Sequence, residues 1–523
     1  MNLMNEQMKS LKQKEILILL LCLLIGFALR FYTFDQKSLW LDEIHTFNDS
    51  RYGIKDQLKY YQENPTYHHP PLFFILTHLF HPFTKPERDL RIIPLIFGIL
   101  SVPMIYLLSR QFSPSIALPC AFSLTFMTYH ISLSQEGRSY SLLMFLGMTG
   151  LYFLMKHLHT SRKRYLPLAG FFFAIMLYTS YSSVPFITLS QILWFYRVNE
   201  NDKNFRFSHF LIFNGFILLF CLPWFLFIAL NYNDQAILSS FNQQNPVSFR
   251  WLVYGIIHDW VPHLPLMAFS VVILMLFPVF SRFRKISLLL LAVLILPIVG
   301  IFLLFKFFGI SHFLTSRYFI SFLPLFLITL YLSLDVFEAK FKNLKRFMRL
   351  KQLFIILFVL SSLVILPFYY RSEKQDFRGL VTYLKGQLKD GDKIIVLGTE
   401  LYFVGILHYF GVYPDGRFYL FSTRKVPQDG IEYWVSLVMG NKKFTITNSK
   451  DYWVQYGIEG TRLWIVANKI AAKEFKKIPI LVLKGYFDGS VLNFDRFPTD
   501  ASMYLFLWDP KSPNEKGIDL PID

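Results

Sequence analysis

The stretch ILILLLCLLIGFALRFYTF (residues 16–34) decides what kind of fold this chain has. It is long enough to cross a hydrocarbon core of about 30 Å. It is too long for the apolar part of a removed signal peptide and lacks a small-residue cleavage site, so it predicts a retained membrane anchor. The 523 residues as a whole are 54% hydrophobic and 18% aromatic, which is typical of a polytopic membrane protein.

Similar apolar stretches recur up to residue 370, and we predict eleven membrane-spanning helices. They lie near 16–34, 91–109, 115–133, 138–155, 165–181, 184–197, 209–230, 264–281, 286–307, 317–334 and 352–370. If all eleven cross and the N-terminus is cytosolic, the short basic loops fall on one side, as the positive-inside rule expects. Because eleven is odd, residues 371–523 are then predicted to lie outside.

One apolar piece, LFFILTHLFHPF (72–83), is left out of that count. It is short for a membrane crossing, so we interpret it as a juxtamembrane helix in an outer loop that runs from 35 to 90. The alternative is that it crosses on a tilt and that one of the short spans is a hairpin.

The charge distribution argues against a nucleic-acid partner. The net charge is +18, yet residues 371–523 hold 21 Lys and Arg against 18 Asp and Glu, so most of the excess lies in short loops between apolar spans. The three cysteines, Cys22, Cys120 and Cys221, fall inside apolar spans, which argues against a disulfide framework.

Residues 371–523 are predicted to form a soluble α/β domain outside the membrane. Helical patterns cover 376–388 and about 400–410, and apolar strand patterns cover 393–398, 462–467, 478–487 and 502–508. This part of the sequence has no Gly-rich phosphate loop, no Cys/His metal spacing and no nucleophile elbow. We interpret it as a lid or as a domain that docks the acceptor.

Three polar clusters share the outer face in this topology: SLWLDEIHTF (38–47), HHPP (68–71) and SQEGRSY (134–140). A transferase for a lipid-linked sugar needs a base for the acceptor hydroxyl and positive charge for the departing phosphate. Asp42 is the candidate base. Arg138 and Arg317 are candidates for binding the phosphate, because a guanidinium matches an oxyanion well.

The remaining candidates are His68 and Tyr318, for donor binding, and Glu43, His69 and Glu136. The last three are predicted either to hold a divalent metal cation or to orient the donor, since carboxylate and imidazole suit several such metals. Every candidate also has a structural interpretation. The acid pair fits a cap for a helix through 44–50, and the histidines fit loop residues before prolines. Arg138 and Arg317 fit arginines that snorkel to the lipid headgroups, and Glu136 fits a surface ion pair with Arg138.

The sequence resembles bacterial members of the GT-C glycosyltransferase superfamily, in the group of protein O-mannosyltransferases and aminoarabinose transferases. The resemblance spans roughly residues 15–330 and is carried by SLWLDE (38–43), HHPPLFFILTHL (68–79), LRIIPLIFGIL (90–100), QEGRSYSLL (135–143) and SRYFISFLPLF (316–326). In addition, KQDFRGLVTYL (374–384) looks like the opening of the external domain in many relatives.

The resemblance implies inverting transfer of a sugar from a polyprenyl-phosphate donor to a glycan, lipid or protein acceptor on the outer face of the cytoplasmic membrane. By position, Asp42 matches the first-loop catalytic acid, Glu136 the second acidic position, and Arg317 the Arg-Tyr pair near the donor phosphate. Relatives acting on lipid A often have Asp-Glu-Thr-Arg and Glu-Lys-Pro where this chain has Asp42-Glu43-Ile44-His45 and His69-Pro70.

Two other functions fit a membrane protein of this kind. A polymerase or ligase of polyprenyl-pyrophosphate-linked polysaccharide would depend on outer-loop arginines and not on an acidic base. A lipid-glycan flippase or transporter would perform no chemistry, and transporters usually place ionisable residues at mid-membrane depth. The predicted spans carry no ionisable residue near their middles, which disfavours the transporter.

Overall fold

The structure is a computed structural model that describes residues 2–63, 69–195, 207–231, 249–261, 263–281, 284–307, 315–341, 349–397, 400–413, 422–426, 430–449, 460–489, 501–512 and 515–522. The first ten α-helices, in chain order, are α1 (Asn2–Phe31), α2 (Leu41–Ser50), α3 (Ile54–Glu63), α4 (Leu72–His78), α5 (Pro86–Asp89), α6 (Ile92–Phe112), α7 (Pro114–Phe126), α8 (Thr128–Ser134), α9 (Tyr140–Thr160) and α10 (Tyr165–Thr179).

The later α-helices are α11 (Val184–Leu189), α12 (Phe207–Asn231), α13 (Phe249–Trp260), α14 (Leu264–Phe280), α15 (Arg284–Phe307), α16 (Leu323–Lys340), α17 (Leu350–Arg371), α18 (Phe377–Gln387), α19 (Glu400–Tyr409) and α20 (Lys469–Phe475). Short 3-10 helices cover Tyr181–Ser183, Ser190–Phe195 and Ser316–Phe322. The strands are β1 (Lys393–Leu397), β2 (Ser422–Val426), β3 (Gly430–Met439), β4 (Lys442–Thr447), β5 (Leu463–Ala467), β6 (Val482–Phe487) and β7 (Met503–Trp508).

The chain packs as two compact units, each built from separate stretches of sequence. The helical unit comprises Met1–Phe34, Gly53–Leu79 and Arg91–Tyr369. The sheet unit comprises Asp35–Tyr52, Phe80–Leu90 and Tyr370–Asp523. The segment that carries Asp42 and Glu43 therefore packs with the C-terminal part of the chain.

Within the described residues, six helices are long and apolar enough to cross a membrane, or up to eight if each of two bent helix pairs is one span. This confirms a polytopic helical membrane protein, while the number eleven stays a prediction. The most apolar part of Ser316–Lys340 is 83% buried inside the protein, whereas that of Phe207–Asn231 is 17% buried. Apolar side chains that face outward from a membrane helix are suited to contact lipid.

Several short apolar segments differ from simple spans. The predicted span 115–133 is broken into α7 and α8, whose axes differ by 62°. Residues 184–195 form the six-residue α11 and a 3-10 turn instead of one continuous span. Helix α4 has seven residues, so it is about 10 Å long and too short to cross the membrane.

The sheet unit contains a seven-stranded sheet with the order β2-β3-β4-β1-β5-β7-β6. Strand β1 runs parallel to β4 and β5, and the other neighbours are antiparallel. The predicted α/β domain is confirmed, including α18, α19, β1, β5, β6 and β7. Strands β2, β3 and β4 were not predicted, although the Gly440-Asn441 turn between β3 and β4 is a typical hairpin signal.

One face of the sheet is covered by α18 and α19, whose apolar residues form a core with Ile394 and Val396 of β1. Leu39, Ile44 and Phe47 belong to that same buried core. Helix α2 is amphipathic, and its apolar side is therefore part of the hydrophobic core of the sheet unit.

Candidate functional site

Asp42 and Glu43 occupy the first turn of α2, which begins after Trp40. The Trp40 N–H donates a hydrogen bond of 3.3 Å to a carboxylate oxygen of Glu43. Glu43 is 1% exposed, whereas Asp42 is only partly buried. Glu43 thus caps the helix, as the structural interpretation of the acid pair expects, and carboxylates in a first turn also favour the helix dipole.

The helical unit contains a second group of predicted residues, around Arg317. The guanidinium carbon of Arg317 lies 5.9 Å from the centre of the Tyr140 ring and 5.8 Å from that of Tyr318. Arg317 is 6% exposed, so most of its charged side chain is out of water. A buried guanidinium between aromatic rings is well suited to bind an anion that enters the site.

The turn that joins α8 to α9 carries Glu136 and Arg138, both of which are partly buried. Next to it, the buried side chain of Gln135 donates hydrogen bonds to the carbonyl oxygens of Arg30 and Tyr32, at 2.9 and 2.6 Å. The Tyr369 hydroxyl donates to the side-chain oxygen of Gln135 at 2.9 Å. The turn is therefore attached to the ends of α1 and α17.

Arg30 explains how the break between α7 and α8 is stabilised. Its guanidinium donates to the Leu124 and Thr125 carbonyl oxygens, at 2.8 and 3.1 Å, in the last turn of α7. It also lies 2.7 Å from Nδ1 of His130, on α8. The last carbonyl groups of a helix have no hydrogen-bond donor within that helix, and a cation at the C-terminus satisfies them. Arg30 and His130 therefore have a structural role.

A hydrogen-bonded group next to Arg317 was not predicted from the sequence. The Ser316 hydroxyl donates to Oδ2 of Asp259 at 2.5 Å and lies 2.8 Å from the Tyr129 hydroxyl. Asp259, Ser316 and Tyr129 are all 3% exposed or less. The only sequence signal was an acid, Asp259, between His258 and Trp260 in the stretch that separates the predicted spans 209–230 and 264–281.

The remaining candidates give a less specific picture. His69 is exposed and its ring centre is 6.3 Å from that of Phe74, while His68 lies outside the described residues. Among the residues that the structure describes, no group of three or more His, Cys, Asp or Glu side chains is arranged to hold a metal ion. Glu43, His69 and Glu136 are thus not found as such a group there, and their metal role stays a prediction.

Residues 68–227 match the family model described as dolichyl-phosphate-mannose-protein mannosyltransferase. This range contains His68, His69, Glu136 and Arg138. No curated protein matches the chain at the level of sequence.

Among solved structures, ArnT from Cupriavidus metallidurans in the apo state is similar, with a TM-score of 0.53 at 13% identity over 95% of this chain and 98% of that one. The same protein bound to undecaprenyl phosphate has a TM-score of 0.50 at 11% identity, with the same coverage. The apo oligosaccharyltransferase of Archaeoglobus fulgidus scores 0.47 at 13% identity over 92% of this chain and 75% of that one, which is too weak to support an argument. The resemblance to GT-C enzymes is thereby confirmed, for the fold along nearly the whole chain and by sequence for residues 68–227.

Proposed function

We propose that this chain, which has the fold of GT-C membrane enzymes, is a glycosyltransferase that uses a polyprenyl-phosphate-linked sugar. The observation that carries the proposal is the match of residues 68–227 to a family of transferases named for a lipid-phosphate sugar donor. The fold similarity to ArnT, which has been crystallised with undecaprenyl phosphate, supports the same class of donor.

In the proposed reaction, Asp42 removes the proton from the acceptor hydroxyl as its oxygen attacks the anomeric carbon of the sugar. The bond from that carbon to the phosphate oxygen breaks, and polyprenyl phosphate leaves with the bonding electron pair. Attack opposite the leaving group inverts the anomeric configuration.

Arg138 and Arg317 stabilise the negative charge on the departing phosphate, with Tyr318 and His68 as further donor-binding residues. The buried Arg317 guanidinium between Tyr140 and Tyr318 supports this assignment. Glu136 orients the donor. The acceptor is a glycan, a lipid or a protein at the outer face of the cytoplasmic membrane, where we place residues 371–523, with the N-terminus in the cytoplasm.

The decisive experiment uses the purified full chain in lipid and a panel of polyprenyl-phosphate sugars, with a membrane extract as the acceptor source. Mass spectrometry follows release of polyprenyl phosphate. Wild type is expected to consume one donor, and Asp42→Asn to lower its turnover by about 10²- to 10⁴-fold, because the base is lost. Asp56→Asn, which changes an exposed carboxylate in α3, is the matched control and should retain wild-type turnover.

Three results would contradict the proposal in different ways. Consumption of a polyprenyl-pyrophosphate glycan but of no monophosphate donor would assign the polymerase or ligase reaction. Movement of a lipid-linked glycan across the bilayer without product would assign a flippase. Full turnover by Asp42→Asn would leave the enzyme class standing and remove Asp42 as the base.

The predicted metal dependence is tested by the same assay after dialysis against EDTA. Loss of turnover that Mn²⁺ or Mg²⁺ restores would assign a metal step, and unchanged turnover would remove the predicted metal role of Glu43, His69 and Glu136. The mechanism above uses no metal step, so the two outcomes of this assay are distinguishable.

A further inference from the structure

We infer that residues 373–378 (EKQDFR), which follow the last membrane helix, are a positioning segment that holds the acidic motif 38–43 in place. This inference rests on the proposed function, since it concerns how Asp42 is presented to its substrate. All the contacts that carry it lie within the sheet unit.

The first observation concerns the backbone just before α2. Three N–H groups there donate to side chains that come from more than 300 positions later in the chain, instead of to a helix or strand partner. The pairs are Ser38 N–H to Glu373 Oε2 at 3.0 Å, Leu39 N–H to the Tyr409 hydroxyl at 2.7 Å, and Leu41 N–H to Gln375 Oε1 at 2.8 Å.

The second observation is that side chains reinforce this backbone pairing. The Lys374 ammonium lies 3.6 Å from the centre of the Trp40 ring, which is a close cation–π contact. The Arg378 N–H donates to the Ser38 hydroxyl at 3.2 Å, and the Arg378 guanidinium donates to the Gln36 carbonyl oxygen. Gln36 and each residue from 38 to 41 therefore bond to or contact 373–378 or Tyr409.

The third observation is that the positioning segment is itself firmly held. The Glu373 N–H donates to a carboxylate oxygen of Asp488 at 3.0 Å, and the Asp376 N–H donates to the Asp488 carbonyl oxygen at 3.0 Å. Asp376 also caps α18 by accepting the Gly379 N–H at 2.8 Å. Gln375 is 3% exposed.

The consequence is that the start of α2, and with it Asp42, is set by the C-terminal part of the chain. A general base works only when it is within hydrogen-bond reach of the proton that it removes. A misplacement of about 1 Å is enough to cost about 10²-fold in rate. The positioning segment would thus act on turnover through Asp42, without itself touching the substrate.

The test is hydrogen exchange of the amides of residues 38, 39 and 41 in the full-length protein in lipid, together with steady-state kinetics. Gln375→Ala and Glu373→Ala are expected to raise the exchange rates about tenfold, equivalent to about 1.4 kcal/mol. They should lower kcat about 10- to 100-fold and leave the KM for the donor near its wild-type value. Gln375→Glu keeps an acceptor oxygen for the Leu41 N–H and should restore both quantities at a pH low enough to keep its buried carboxyl neutral.

Matched controls are Gln387→Ala and Glu474→Ala, which change exposed side chains of the same unit. Unchanged exchange in both test variants would overturn the inference, as would faster exchange with an unchanged kcat. Absence of turnover in wild type for every donor would instead refute the proposed function, because the exchange experiment reports the packing of 38–41 without any reaction.

Discussion

At the scale of single residues, the two neighbouring acids of the first loop have different tasks. Glu43 is buried, and its carboxylate accepts a hydrogen bond from the Trp40 N–H at the start of its own helix. Glu43 therefore stabilises the start of α2. Asp42 is one residue closer to the helix start and remains partly exposed. Of the pair, Asp42 is therefore the more accessible carboxylate, which is what the proposed role as a base requires.

Glu373 is expected to make the docking of residues 36–41 sensitive to pH. Burial, helped by the charge of Asp376, raises the pKa of Glu373 from 4.5 to about 7, against the opposing effects of Lys37, the Ser38 N–H and Arg378. Asp488 also lies beside Glu373 and accepts its N–H. Between pH 4.5 and about 7 the Glu373 carboxyl keeps its proton in the folded state, whereas the opened state has released it. The contribution of Glu373 to the stability of this docking is therefore complete below pH 4.5 and is lost as the pH rises through 7.

The measurement is the free energy of local opening from hydrogen exchange of residues 38–41 between pH 5 and 8, corrected for the intrinsic chemical rate. Wild type should lose up to about 3 kcal/mol over this range, and Glu373→Gln should show a flat profile. A wild-type profile as flat as that of the Gln variant would show that Glu373 titrates at its ordinary pKa.

Ser316 is expected to hold the 3-10 segment that presents Arg317. Ser316→Ala removes its bonds to Asp259 and Tyr129 and takes a hydrogen-bond donor from a buried carboxylate, which costs about 1–3 kcal/mol. We therefore expect a lower melting temperature and a higher KM for the donor. Ser512→Ala, at an exposed position, is the control, and equal effects of the two variants would contradict the assigned role.

At the scale of elements, the break between α7 and α8 lets a short buried helix approach α6 closely. Gly98 of α6 lies against Ser134 at the end of α8, and a Cβ at position 98 would collide with the Ser134 side chain. Gly215 of α12 has nothing within 4 Å of an added Cβ. The two glycines therefore differ in a way that a substitution can measure.

Gly98→Ala is expected to destabilise the helical unit by about 1–3 kcal/mol, because a packed interface must open to accept the methyl group. Gly215→Ala should be neutral or stabilise by up to about 1 kcal/mol, since alanine favours a helix over glycine. Thermal unfolding of the two variants in the same detergent gives the comparison. Similar melting temperatures would show that α6 and α8 do not pack as described.

At the scale of the whole molecule, the sheet unit is assembled from three separated stretches of chain. Helix α2, which follows the first membrane helix, contributes Ile44 and Phe47 to the core beside β1. The first loop therefore supplies buried residues to the core of the sheet unit, and we expect the stability of that unit to depend on α2.

Ile44→Ala is expected to destabilise the sheet unit by about 2–5 kcal/mol, because Ile44 is 1% exposed and the substitution leaves a cavity. Ile54→Ala, in α3, removes the same atoms from a side chain that is 55% exposed and should have little effect. Limited proteolysis of residues 371–523 in the full-length protein measures the difference. Equal resistance of the two variants would show that α2 is not part of that core.

The sequence by itself determined the class of the protein. Long apolar stretches are stable in the hydrocarbon core of a bilayer, so they predicted a polytopic helical protein, which the structure confirms. Short apolar runs such as 393–398 predicted the buried strands of the sheet. Local patterns also identified Asp42, Arg138 and Arg317 as candidates. Strands β2 to β4 were not predicted, although the turn Gly440-Asn441 marked the hairpin between β3 and β4.

Only the tertiary structure decided which distant residues act together. Asp259 is hydrogen-bonded to Ser316, which lies 57 positions later in the sequence, and Glu373 is hydrogen-bonded to Ser38, 335 positions earlier. Side chains such as Gln375 or Asp259 have no local pattern that distinguishes them from loop residues, because their importance comes from burial and from partners far along the chain. The physical reason is that helix and strand periodicity is a local property, whereas the satisfaction of buried polar groups depends on the packing of the complete fold.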